Sequence, residues 1–166
     1  MKNFIALFFA ILTLGSCENP YDLVSESKTY KGDPFVMLSS EQAAIRLGIS
    51  QNNNHSSLPG IFRDSLVLSN ALDHDLTITL ELVGNESFGA LNEHFKFQDK
   101  VIIDAGSNYG SFTVHALDIP ISEISKYKLS IRIKETDDPL VIAGLYGSKK
   151  ENEERQKRFK TYSFQE

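Results

Sequence analysis

The stretch from Tyr127 to Lys134 sets the tightest constraint on the fold. Tyr127, Leu129, Ile131 and Ile133 alternate with Lys128, Ser130, Arg132 and Lys134. Successive side chains of an extended strand point to opposite faces, so this spacing lays an apolar row on one side and a polar row on the other. At helical spacing the same residues would be scattered around the axis. A half-buried strand of this kind needs neighbours in a sheet and a second layer over its apolar face.

The same period recurs along the chain. Leu76, Ile78, Leu80 and Leu82 alternate with Thr77, Thr79 and Glu81. Phe112, Val114 and Ala116 point inward, with Thr113 and His115 outward. Shorter apolar or alternating runs at residues 35–38, 65–70, 95–97, 100–103 and 140–146 read as further strands. Residues 39–49 admit two readings. Ser39 with Gln42 has the form of a helix capping box, but Ile45, Leu47 and Ile49 alternate, which favours a strand over 44–49. Gly106 and Asn108 mark a turn at 104–108, and 135–139 reads as another. Pro120 lies in an irregular crossing segment at 119–125. Short strands separated by turn residues predict an all-β, immunoglobulin-like antiparallel β-sandwich over residues 35–166. Tyr127 stands where that fold places a tyrosine corner. Residues 159–164 have strand character and are expected to close the sheet as an edge. The charged run at 149–158 mixes Lys and Arg with Glu151, Glu153 and Glu154, as a solvated loop or short helix would.

The N-terminus is of a different kind. Lys2 precedes an apolar run over residues 4–14, too short to span a bilayer as a helix, which needs about 20 residues. The run ends Leu14-Gly15-Ser16-Cys17, with the only cysteine in the chain. A disulfide within the chain is thereby excluded. The tetrapeptide resembles the lipobox of bacterial lipoproteins. That resemblance implies that residues 1–16 are a signal peptide and that Cys17 becomes the acylated first residue. Attachment by more than one acyl chain is enough for stable anchoring. Residues 17–34 then read as the acylated cysteine and a flexible tether. Glu18 and Asp22, behind the anchor, do not choose between the two faces of an outer membrane.

Removing residues 1–16 leaves 150 residues, one domain's worth, able to bury roughly 70% of its unfolded surface without disulfides. The net charge of −5 gives no reason to expect nucleic acid as a partner. His55, His74, His94 and His115 form no metal-binding spacing, and no nucleophile elbow or phosphate-cradling glycine loop is present. The expectation is therefore a protein that is not an enzyme. Asp73-His74-Asp75 is the densest polar cluster and has ordinary turn chemistry. Trp is absent, so Tyr109 and Tyr146 are the candidates for stacking on a sugar, with packing at a sheet edge as the competing role.

Phe95 and Phe97, then the run from Val101 to Ser107, then Phe112-Thr113-Val114, then the strand from Tyr127 follow an order that resembles the Calx-beta-like and related domains of Bacteroidetes lipoproteins. The resemblance covers residues 76–134. It implies an outer-membrane lipoprotein with a β-sandwich, accessory to glycan uptake or adhesion, with a glycan or an envelope protein as partner. Calx-beta domains proper bind calcium through acidic loops. Asp73, Asp75, Asp118, Asp137 and Asp138 lie at expected strand ends, but the acidic strand motif of calcium-binding members is missing, so no cofactor is expected, with calcium as the competing reading. A structural or assembly subunit docking a protein partner is the alternative function.

Overall fold

The computed structural model describes residues 32–47, 60–144 and 157–165. Ten strands run in order: β1 Phe35–Leu38, β2 Gln42–Arg46, β3 Ile61–Leu68, β4 Leu76–Leu82, β5 Phe95–Phe97, β6 Lys100–Ile103, β7 Tyr109–Ala116, β8 Lys128–Thr136, β9 Ile142–Ala143 and β10 Phe159–Gln165. They form two five-stranded sheets, β5-β7-β3-β1-β9 and β2-β10-β8-β4-β6. The domain is an all-β sandwich.

The alternating rows supply its core. Leu76, Ile78 and Leu80 of β4, Leu129, Ile131 and Ile133 of β8, and Phe112, Val114 and Ala116 of β7 are all buried in one cluster. The chain changes sheet between β1 and β2, across residues 39–41, so the two sheets are joined covalently at that corner.

Several expectations are corrected. Six strand pairs are antiparallel, but β1 with β9 and β2 with β10 are parallel. The strand expected over 65–70 begins at Ile61, because Phe62 and Asp64 continue its inward row. The strand expected over 44–49 begins at Gln42, held by backbone bonds to β10, and residues 48 and 49 lie outside the described residues. The strand expected at 140–146 is reduced to Ile142–Ala143, and residues 145 and 146 lie outside the described residues. Residues 159–164 do not form an edge. β10 lies between β2 and β8, and Lys160, Tyr162 and Phe164 are buried. The crossing segment holds a 3-10 helix, Ile121–Lys126, whose last turn hands directly to β8. Tyr127 acts there by ring packing, edge-on to Phe88 at 5.4 Å and tilted against His94 at 4.9 Å. Cys17, the tether up to residue 31 and the charged residues 149–156 lie outside the described residues.

Candidate functional site

The outer face of the first sheet is built by register. Met37, Val67 and Tyr109 sit opposite one another across β1, β3 and β7. Ser65 faces Ser111, Arg63 faces Thr113, and Ile61 faces His115, which in turn faces Lys96 of β5. Because inward and outward positions alternate, all of these side chains share the side away from the core. Tyr109 is 68% exposed and stands at one end of the face.

The turn before Tyr109 fixes its place. Gly106 adopts a φ of 77°, which a glycine tolerates without strain. Its N–H donates to the Leu72 carbonyl at 2.8 Å, and the Ala105 N–H donates to the Asp75 carboxylate at 2.8 Å. Ser107 Oγ accepts the Tyr109 N–H at 3.3 Å and donates to the Tyr109 carbonyl at 3.0 Å. The aromatic ring is thus carried on a backbone tied to the neighbouring loop. An exposed tyrosine beside hydroxyl groups can stack on the apolar face of a sugar while its neighbours meet the sugar hydroxyls. Tyr146 lies outside the described residues.

The acidic loops at the same end do different work. His74 Nδ1 lies 2.8 Å from Asp73 and its Nε2 lies 3.3 Å from Asp138. The hydrogen bond to Asp73, and then that to Asp138, raise the His74 pKa above its ordinary value. Asp137 accepts the Thr77 N–H at 2.9 Å, and Asp138 accepts the Leu140 N–H at 2.8 Å. A shallow depression of about 440 Å³ lies between His74, Asp75, Asp137, Asp138 and Pro139. This arrangement does not fit a calcium ion. Among the described residues no group of three or more His, Cys, Asp or Glu side chains is placed to hold a metal ion. The carboxylates instead face N–H donors and an imidazole, and Asp118 lies apart at the end of β7. Of the other histidines, His94 accepts the Ala90 N–H at 3.0 Å, and His115 lies 3.3 Å from the Thr113 hydroxyl. His55 lies outside the described residues.

One polar cluster went unseen in the sequence. Asp64 on β3 faces into the sandwich and meets Lys160 and Tyr162 of β10, in the opposite sheet. Lys160 Nζ lies 2.5 Å from Asp64 Oδ2, with the two side chains only 2% and 4% exposed. The Tyr162 hydroxyl donates to the same oxygen at 2.6 Å, and Ser39 Oγ donates to Oδ1 at 2.8 Å. Burial pushes the Asp64 carboxyl up, but Lys160 and then Tyr162, Ser65 and Ser39 outweigh it and hold the group below the ordinary carboxylate range. Burial, and then the Asp64 charge, push the Tyr162 phenol well above its usual value, so it remains a donor. The visible signal was a charge in each alternating run, Asp64 in 61–68 and Lys160 in 159–165, at an inward position.

No family model matches the chain. No curated protein matches it either. Solved structures do. A two-domain protein of unknown function from Bacteroides fragilis superposes with a TM-score of 0.51 at 10% identity, over 90% of this chain and 49% of that one. A protein of unknown function from Bacteroides ovatus gives 0.53 at 12% identity, over 80% of this chain and 51% of that one. A third, from Bacteroides ovatus and described as a "putative carbohydrate binding protein", gives 0.50 at 11% identity, over 80% of this chain and 37% of that one. The chain therefore spans about half the length of these neighbours or less, and the likeness is one of fold.

Proposed function

We propose that this protein is a lipoprotein, anchored to the outer membrane through Cys17, whose sandwich is a non-catalytic glycan-binding module serving glycan uptake or adhesion. The observation that carries the reading is Tyr109, 68% exposed at the end of a sheet face whose neighbouring rows offer Ser65, Ser111 and Thr113. The lipobox-like ending at Cys17 supports the anchor, and a solved neighbour described as carbohydrate binding is compatible with the ligand class. The likeness to Calx-beta-like lipoprotein domains belongs to the same reading, without its calcium.

The test is a glycan array probed with the full chain in detergent. Saturable binding to one glycan class, lost in Tyr109→Ala at an unchanged melting temperature, is the expected result. Binding to no glycan, or binding indifferent to Tyr109→Ala, would sink the reading. Metabolic labelling with a tagged fatty acid should mark the parent and not Cys17→Ala. The alternative, an assembly subunit docking a protein partner, rests on β2, which ends its sheet among the described residues and offers backbone groups for strand addition. It predicts a co-purifying protein and an empty array.

A further inference from the structure

The outer faces of the two sheets carry their charges differently. On the second sheet acids stand among the cations: Arg132 of β8 is paired with Glu81 of β4 and Lys134 lies 3.8 Å from Glu135, while Arg46, Lys100 and Lys128 are in no ion pair among the described residues. On the first sheet, the outward positions of β3, β5 and β7 carry Arg63, Lys96 and His115, and no Asp or Glu stands among them. Neither Arg63 nor Lys96 is in an ion pair among the described residues. Asp64, next to Arg63 in sequence, points into the core, and Glu93, Asp99, Asp104 and Asp118 sit in the loops beyond the ends of β5, β6 and β7.

The face is also graded along its length. Tyr109 stands at the end next to the acidic turn, Ser111 and Ser65 one row on, Arg63 beyond them, and Lys96 with His115 at the far end. Successive outward rows of a strand are about 7 Å apart, so Tyr109 and the Lys96 row are separated by about 20 Å. An extended chain of several linked sugar rings fills such a span. Arg offers a planar fork that matches a carboxylate or sulfate, and Lys adds a point charge.

We infer that the outer face of β3, β5 and β7 takes an anionic glycan, laid along β7 with a sugar ring on Tyr109 and its carboxylate or sulfate groups on Arg63 and Lys96. This rests on the glycan-binding reading above and adds the charge and direction of the ligand.

The experiment compares three hexasaccharides of equal length on immobilised full chain: a neutral glucan, an oligogalacturonate and a sulfated oligosaccharide. An anionic vesicle and a DNA oligonucleotide serve as other polyanions. The expected result is that at least one acidic hexasaccharide binds tenfold or more tightly than the neutral one. In Arg63→Gln/Lys96→Gln that advantage should shrink at least tenfold, with a shallower salt dependence and an unchanged melting temperature. Which acidic chain binds tells carboxylate from sulfate. Equal affinity for neutral and acidic chains, or an unchanged advantage in the double variant, overturns the inference and leaves the glycan reading standing. Equal binding of vesicle or DNA through the same two residues overturns it as well, because the face would then be a general polyanion surface. Failure of all three hexasaccharides overturns both.

Discussion

Replacing Lys160 with Met removes the cation seated on Asp64 and keeps most of the side chain's bulk. The pair lies across the two sheets with both side chains almost fully buried, so the variant leaves a carboxylate without its counter-charge. Breaking a buried pair from one side costs about 3–5 kcal/mol. Asp64 keeps the Ser65 N–H at 2.7 Å and the Ser39 and Tyr162 hydroxyls, which places the loss at the lower end, about 3 kcal/mol. For a domain near 150 residues that lowers the melting temperature by roughly 6–12 °C. The assay is thermal unfolding at pH 7, repeated down to pH 3. The folded-state pKa of Asp64 is depressed, so its contribution in the parent is present above the ordinary carboxylate value, about 3.9, and is lost as pH falls through the lower folded value. Without Lys160 the same burial moves the group upward, so the variant begins to recover on acidification before the parent loses anything. The gap between them should therefore be flat near neutral pH and narrow in acid. Replacing Asp64, Lys160 and Tyr162 together by Leu, Met and Phe should bring stability back to the parent's or raise it by up to about 1–4 kcal/mol. A Lys160→Met variant that melts within about 2 °C of the parent would refute the argument, since 3 kcal/mol cannot vanish from a closed pair.

Three further outcomes follow from particular contacts. Gly110→Ala would bring a methyl group to 2.9 Å from the Ile102 carbonyl oxygen and 2.9 Å from an Ile103 side-chain carbon. The backbone cannot give way there, so urea unfolding should show a loss of about 1–3 kcal/mol, and a loss near zero would mean that β6 and β7 are not in such close approach. Asp73→Ala removes both the hydrogen bond that most raises His74 and the charge behind it, so the imidazole followed by NMR should titrate at lower pH, and an unmoved midpoint would remove Asp73 as the cause. The bridge that His74 makes to Asp138 is correspondingly present below the ordinary histidine value and lost as pH rises through the raised one. Deleting residues 159–166 should abolish cooperative unfolding altogether, whereas loss of a true edge strand would leave a weakened transition.

Strands whose two faces differ cleanly were legible. β4, β7 and β8 alternate without a break, and their inward rows are the core. Legibility failed where a charge occupies an inward position. Asp64 interrupts the row Phe62, Leu66, Leu68, and the strand was started after it. Lys160 makes residues 159–165 look half-polar on both faces, as a solvated edge would, although the ammonium is matched by a carboxylate from the other sheet. Nothing local in sequence tells a partnered inward charge from an outward one, because Asp64 and Lys160 are 96 residues apart. Pairing direction was hidden for a similar reason. β1 with β9 and β2 with β10 join segments distant in the chain, so no turn records their parallel sense. At the candidate site, Tyr109 was visible as an aromatic beside a turn, but Arg63 was not, since its neighbours became known only once β3 and β7 were in register.

The buried cluster and the exposed face are two sides of one strand, and this couples them. Along β3, Asp64 points inward to Lys160 and Tyr162, while Arg63, Ser65 and Val67 point outward beside Thr113, Ser111 and Tyr109. A slip of one residue between β3 and β7 would turn every side chain to the opposite face. It would bury Arg63 without a partner, strand Lys160 in the core without Asp64, and expose Leu66 and Leu68. An apolar core alone penalises the slip through the leucines. The Asp64 cluster adds a charge that is satisfied in one register only, with four groups from three separate segments, residues 39, 65, 160 and 162, closing on the carboxylate. The face that carries Arg63 is therefore held in line with Tyr109 from behind. On this argument Lys160→Met should do more than lower the melting temperature. It should broaden the amide signals of β3 and weaken ligand binding at the outer face, although residue 160 touches no part of that surface.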